Sequence, residues 1–216
     1  LACWREGRTG FHTRMVHDAL VRHWPAVGDD PGAVVFVPLC GRAEDMAWLA
    51  ARGHAVIGVE LSALAVSGFF RDRGRVPVTH AAGGLTCHRA GHWSLWCGDF
   101  FRLAPARLAP ATLVYDRAAL IALPAGSRRA YLAHLRRLLP GGFRGLLITL
   151  EYDQAEMDGP PFAVLPGELE AHCAACGIDC TQLGRRDVLE AEARFRDRGV
   201  TALAEAAWRL EAAPLS

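Results

Sequence analysis

The chain has 216 residues, of which 51% are hydrophobic and 22% charged, enough for a full core with ordinary globular composition. With 24 basic against 23 acidic residues the formal net charge is +1, which supplies no excess to neutralise a phosphate backbone or an anionic bilayer. Nucleic acid is therefore not an expected partner. No apolar run approaches the roughly 20 residues of a spanning helix, and no charged-then-apolar leader opens the sequence, so the expectation is a cytoplasmic protein with no membrane partner.

In chain order, an amphipathic segment from about His12 to Trp24 sets Met15, Val16, Ala19, Leu20 and His23 near one face and stops at Pro25. A strand over 33–37 follows. Its run Val34-Val35-Phe36-Val37 breaks into Pro38-Leu39-Cys40-Gly41, and a helix over 43–52 then turns Met46, Leu49 and Ala50 inward and ends at Gly53. The second strand, 55–60, ends in Glu60, nineteen residues after Gly41. Ser62 is placed to cap a helix running to about Asp72. The polar, turn-rich stretch 75–91 reads as a surface excursion with a short hairpin.

Alternation resumes with a strand over 93–97 ending in Gly98-Asp99 and another over 113–115 ending in Asp116-Arg117. A helix from about Pro124 to Leu139 carries Tyr131, Leu135 and Leu138 on one face, and Leu146 to Leu150 reads as a buried strand. Continuous apolar strands separated by helices predict an α/β fold with a mostly parallel sheet covered on both faces. A single domain over 1–216 is expected, with 1–24 covering the active site. Residues 202–211 have helical composition.

The turn after the first strand and the carboxylate ending the second lie, in such a sheet, side by side at the carboxyl ends of adjacent parallel strands, where these folds hold nucleoside ligands. Glu60 there can accept both hydrogens of a ribose diol. A nicotinamide dinucleotide needs a Gly-x-Gly-x-x-Gly turn so that a helix terminus can approach its pyrophosphate. The turn here has Gly41 alone, behind Pro38 and Leu39, so S-adenosyl-L-methionine is the better match. Asp99 can accept from the adenine amine, and Phe100 beside it can pack on the ring. Seven cysteines raise the question of a metal. His172, Cys173, Cys176 and Cys180 cluster without a second ligand pair at matching spacing, so they read as small apolar residues and no metal is expected.

Long segments resemble one family. They are Trp4 to His12, FVPLCGRAEDMAWLAARGH from Phe36 to His54, VIGVELS from Val56 to Ser62, YDRAAL from Tyr115 to Leu120, and GPPF from Gly159 to Phe162, and together they look like the thiopurine S-methyltransferases, bacterial branch. The resemblance implies the class I, Rossmann-like methyltransferase fold, a seven-stranded sheet with helices on both faces and an antiparallel C-terminal strand pair, so 202–211 should be a strand despite its composition. It implies methyl transfer from S-adenosyl-L-methionine to aromatic or heterocyclic thiols such as thiopurines, leaving S-adenosyl-L-homocysteine; a monomer is expected.

By the same resemblance Trp4 lies over the cofactor and Leu39 lines its adenosyl part. Glu60 accepts the ribose, Asp99 and Phe100 meet adenine, and Arg117 lines the site near cofactor and substrate. Phe11 stands at the substrate position, and Arg194 resembles a second substrate-side arginine. Arg117 and Arg194 are the candidates for stabilising a substrate thiolate. The family's lysine after the glycine is Arg42 here, which keeps the charge. Two other classes share the pocket signals: a methyltransferase of this fold acting on selenium or tellurium species or another small metabolite, and a non-catalytic adenosyl-binding protein.

Overall fold

The computed structural model describes residues 15–28 and 30–215. The chain forms two compact units that meet in sequence between Tyr115 and Asp116. Nine strands occur among the described residues, rather than the seven the resemblance implies.

The first unit is built on parallel strands. β1 (Val34–Val37) is flanked by β2 (Ala55–Glu60) and β6 (Ala111–Arg117), and β5 (Trp93–Cys97) pairs with the far side of β2. All three pairings are parallel, and Val35, Phe36, Val56, Leu95 and Val114 are at most 1% exposed. Such apolar runs suit strands covered on both faces. The stretch read as a surface excursion with a short hairpin does form a hairpin, and that hairpin extends this sheet. β3 (Val78–Ala82) and β4 (Leu85–Ala90) form a hairpin through Gly83 and Gly84, whose φ angles of 62° and 78° are those of a tight primed turn, and β4 pairs antiparallel with β5. These two strands account for the excess over seven.

Among the described residues, three α-helices belong to this unit. α1 (Asp18–His23) is shorter than the periodicity predicts; it buries Ala19 and Leu20 but leaves Met15 75% exposed, so Met15 is not part of an apolar face. α2 (Asp45–Ala51) buries Met46, Leu49 and Ala50 and ends at Gly53, whose φ of 90° admits glycine readily. α3 (Ala63–Arg71) is capped by Ser62, whose Oγ accepts from Ala65 N–H at 3.4 Å.

In the second unit, α4 (Ala125–Leu138) buries Tyr131, Leu132, Leu135 and Leu138. β7 (Phe143–Glu151) and β8 (Asp179–Asp187) lie on either side of β9 (Ala204–Ala212), both antiparallel to it, with α5 (Pro166–Ala175) and the short α6 (Ala193–Arg196) between. The helical composition of 202–211 is thus overridden. Its register runs from Ala204 against Glu151 to Ala212 against Phe143, and Trp208, 2% exposed, donates its indole N–H to Thr149 Oγ1 at 3.0 Å. A strand bonded along both edges satisfies its backbone outside itself, which outweighs the small propensity differences among Ala, Glu and Leu.

Candidate functional site

The carboxyl ends of β1, β2 and β5 assemble a backbone cradle in the first unit. After Val37 the chain leaves the sheet, and Cys40 N–H donates to Val59 O at 2.9 Å, which lays the Pro38–Gly41 turn across the end of β2. Leu39 has φ 45° and Gly41 φ 54°. A left-handed leucine is a strained residue, of the kind that persists only where its surroundings impose it. Glu60, 9% exposed, closes the turn: Oε2 accepts from Gly41 N–H at 3.0 Å and Oε1 from Ser62 N–H at 2.7 Å. A carboxylate has about four lone-pair sites, so with one backbone donor on each oxygen it retains an acceptor direction on each. That pair of directions suits the two hydroxyls of a ribose.

Burial pushes the Glu60 carboxyl above its usual range, and the N–H groups of Ser62 and Gly41 pull it back. Burial, with the Glu60 charge next, raises the Cys40 thiol well above its own range, so Cys40 is a packing residue and not a nucleophile. Gly58 makes room for it. A Cβ on Gly58 would stand 2.7 Å from Cys40 Sγ and 2.8 Å from Leu95 Cδ2. Gly58→Ala should therefore destabilise the protein by about 1–3 kcal/mol through overpacking under the turn. Denaturant unfolding checks this, and an unchanged midpoint contradicts it.

β5 brings a second carboxylate alongside. Cys97 pairs with Glu60, and Gly98 N–H donates to Glu60 O at 2.9 Å, so Asp99 follows at the end of the neighbouring strand. Asp99 is exposed, and its Oδ1 caps the next turn by accepting from Phe101 N–H at 2.9 Å. Phe100 is 6% exposed and stacks on Phe36 at 6.5 Å, whereas Phe101 is 46% exposed. Arg42, after the glycine, is ion-paired with Asp72. Trp4 and Phe11 lie outside the described residues, as does most of 1–24, the segment expected to cover the site.

Sequence reading passed over Asp45. Fully buried, it accepts from His17 N–H at 2.8 Å and from the Tyr115 hydroxyl at 2.9 Å, tying the chain before α1 to α2 and β6. A buried unpaired carboxylate is costly, so two such donors mark Asp45 as a positioning residue for this unit. The only signal in the sequence was its place inside the segment resembling the family.

In the second unit Arg117 is the last residue of β6, and the turn beyond it is held by Asp116. Asp116 is 1% exposed; Oδ2 accepts from the Tyr131 hydroxyl at 2.6 Å and Oδ1 from the N–H groups of Ala119 and Leu120, both at 3.2 Å. Ala118 adopts φ 69° inside this turn. Burial raises Asp116 to about 6, against the three hydrogen bonds that lower it. Because the folded value lies above the usual carboxylate range, Asp116 contributes stability that is complete below about pH 4 and lost as pH rises through about 6. Asp116→Asn should flatten stability across that window, and unfolding midpoints of both proteins between pH 4 and 7 measure it; parallel profiles contradict it. Arg194 lies in α6, where Nε donates to Glu192 Oε2 at 3.0 Å and the guanidinium sits 5.1 Å over the Phe195 ring.

Of the clustered cysteines, Cys173 and Cys180 come together, their thiols within hydrogen-bonding reach of each other. Cys173 is buried on α5, Cys176 ends that helix with Sγ 3.9 Å from Arg129 O, and Cys180 is on β8, while His172 pairs with Glu168 at 3.5 Å. Among the described residues no three His, Cys, Asp or Glu side chains are grouped to hold a metal.

A family model described as thiopurine S-methyltransferase matches residues 1–213. The chain belongs to that family. A thiopurine S-methyltransferase of Bordetella petrii is 46% identical over 212 residues, covering 96% of this chain and 94% of the relative. One from Xanthomonas campestris is 48% identical over 208 residues, covering 96% and 95%. Among solved structures, magnesium protoporphyrin IX methyltransferase from Synechocystis with bound S-adenosylhomocysteine superposes with a TM-score of 0.65 at 16% identity, covering 98% of this chain and 95% of that one. A Burkholderia thailandensis 1,6-didemethyltoxoflavin-N1-methyltransferase gives 0.64 at 16% identity, covering 98% and 84%. At that identity the likeness concerns the fold, which is the class I methyltransferase fold.

Proposed function

We propose that this family member transfers a methyl group from S-adenosyl-L-methionine to the sulfur of a small aromatic or heterocyclic thiol such as a thiopurine. The observation that carries the reading is Glu60, with each oxygen fixed by a turn N–H and one acceptor direction on each left for a ribose diol. The glycine-poor Pro38–Gly41 turn suits a nucleoside without a pyrophosphate, and two similar folds are described with bound S-adenosylhomocysteine. The protein is taken to be a cytoplasmic monomer of one domain, acting without nucleic acid or membrane; among the described residues no helix is long and apolar enough to cross a bilayer.

When bound, S-adenosylmethionine supplies a methyl carbon already activated by its sulfonium sulfur. What remains for the protein is positioning and exclusion of water. In this reading Glu60 orients the ribose, Leu39 walls the adenosyl part, and Asp99 accepts from the adenine amine, with Phe100 backing that end from the core and Trp4 over the cofactor. Phe11 stacks on the acceptor ring. Arg117 and Arg194 favour the ionised thiol, which attacks the methyl carbon as the old carbon–sulfur bond breaks; the thiol proton has by then gone to solvent. Methyl transfer from labelled cofactor to an aryl thiol, to selenite and to the matching phenol tests the reading. Transfer to the thiol alone supports it; preferred transfer to selenite, or binding without any transfer, replaces it with one of the other two classes.

A further inference from the structure

The end of α5 turns the chain back on itself. Gly177 adopts φ 64°, its N–H donates to Ala174 O at 3.1 Å, and Ile178 N–H donates to Cys173 O at 3.0 Å. Those two bonds around a left-handed glycine are the Schellman ending of a helix, in which Cys173 and Ile178 are the positions that face each other. β8 begins at the next residue, Asp179. Successive side chains of an extended chain alternate between faces, so Cys180 shares the side of Ile178, which is 2% exposed, while Asp179 takes the exposed side. The turn thereby returns Cys180 to the helix at Cys173.

The two thiols are within hydrogen-bonding reach, with the Cys173 S–H donating and the Cys180 sulfur accepting. They differ in access. Cys173 is buried and Cys180 half-buried, and the third cysteine of this stretch, Cys176, turns its Sγ to Arg129 O at 3.9 Å. Burial raises both thiols, and the bond from Cys173 draws Cys180 back toward its ordinary range. A reagent from solvent therefore meets Cys180 first, and the thiolate, which is the attacking form, is better supported there.

We propose that Cys173 and Cys180 are a redox-modification site, a dithiol that small disulfide oxidants such as glutathione disulfide convert to an intramolecular disulfide. The Cys180 thiolate attacks one sulfur of the oxidant; a mixed disulfide forms as the oxidant's sulfur–sulfur bond breaks, and one glutathione leaves as its thiolate. Cys173, its proton released to solvent, then attacks the Cys180 sulfur, and the second glutathione leaves. Two protein thiols are oxidised and one glutathione disulfide is reduced to two thiols. Cys173 never has to meet the reagent, because Cys180 carries the activated sulfur to it. Proximity favours the closure, since helix and strand already hold both sulfurs in place. The proposal does not depend on the methyl-transfer reading.

Because burial slows thiol exchange, equilibrium rather than rate is the measurement. The full chain is equilibrated in glutathione buffers of graded redox ratio, quenched with acid, alkylated, and cleaved on the amino side of Asp179, which separates Cys180 from Cys173 and Cys176; mass spectrometry then reads the links. A link from Cys180 to the preceding peptide is expected, at oxidant levels about tenfold or more below those that place glutathione on Cys176. Cys176→Ser should keep that link. Cys173→Ser should lose it and hold glutathione on Cys180, and Cys180→Ser should leave Cys173 unmodified. Absence of the link, its loss in Cys176→Ser, or glutathione resting on Cys180 of the intact chain overturns the proposal. Wild type and Cys176→Ser decide the matter alone if serine at buried position 173 unfolds the chain.

Discussion

Glu60→Ala is expected to weaken S-adenosylhomocysteine binding by tenfold or more while the chain still folds. A hydrogen bond to a charged acceptor is worth about 1.5–3 kcal/mol, and a ribose diol makes two of them to this carboxylate, so the loss of even one is a tenfold effect or larger. The substitution also removes the acceptor of Gly41 N–H and Ser62 N–H, so the Pro38–Gly41 turn loosens along with the direct contact. The pH dependence follows from the same group. Burial raises the carboxyl of Glu60, and the ionised form is the one that accepts from the diol. Affinity should hold at neutral pH and fall as pH is lowered, beginning at a higher pH than an exposed glutamate would give, and Glu60→Ala should lack that fall. Calorimetric titration across pH decides it. An unchanged dissociation constant in the variant removes the cofactor site proposed in the first unit.

Arg117→Met should slow methyl transfer unequally among acceptors. An adjacent guanidinium lowers an acidic group by about 1–3 pKa units, so a weakly acidic thiol should lose roughly ten- to a thousandfold in rate, and a thiol already ionised at neutral pH should lose little. The mechanism uses no histidine or carboxylate as a base for the acceptor, so the rate should track the anionic fraction of the thiol, and phenols of matching shape should react poorly. Rates for a series of substituted thiophenols, with wild type and variant at one pH, give the slope. An Arg117 effect independent of acceptor acidity, or efficient turnover of phenols, means that an unrecognised base does the work.

Elements whose pattern is local were legible without coordinates. β1, β2 and β5 are short apolar runs bounded by turn residues, and α2 and α3 carry their own stop signals in Gly53 and Gly74, so their limits differ from expectation by no more than about two residues. The nineteen-residue interval from Gly41 to Glu60 was equally legible, because one helix and one strand of fixed rise bring the chain back to the same sheet end; the structure closes it with a 3.0 Å hydrogen bond. Met15 misled because periodicity records which residues share a face and not whether anything covers that face. Phe100 shows the same limit, since adjacency to Asp99 says nothing of which ring, Phe100 or Phe101, points into the core.

By itself, the sequence determined the alternation of strands and helices, the strand-end positions of Glu60 and Asp99, and membership of the family, since each depends on spacing along the chain. Tertiary structure alone decided the rest. β9 is a strand because β7 and β8 bond to both of its edges, β3 and β4 join the sheet because β5 offers an open edge, and Asp45 and Asp116 are buried because tyrosines distant in sequence donate to them. Such outcomes depend on groups brought together from 15 to 70 residues apart, where no local propensity or period carries information.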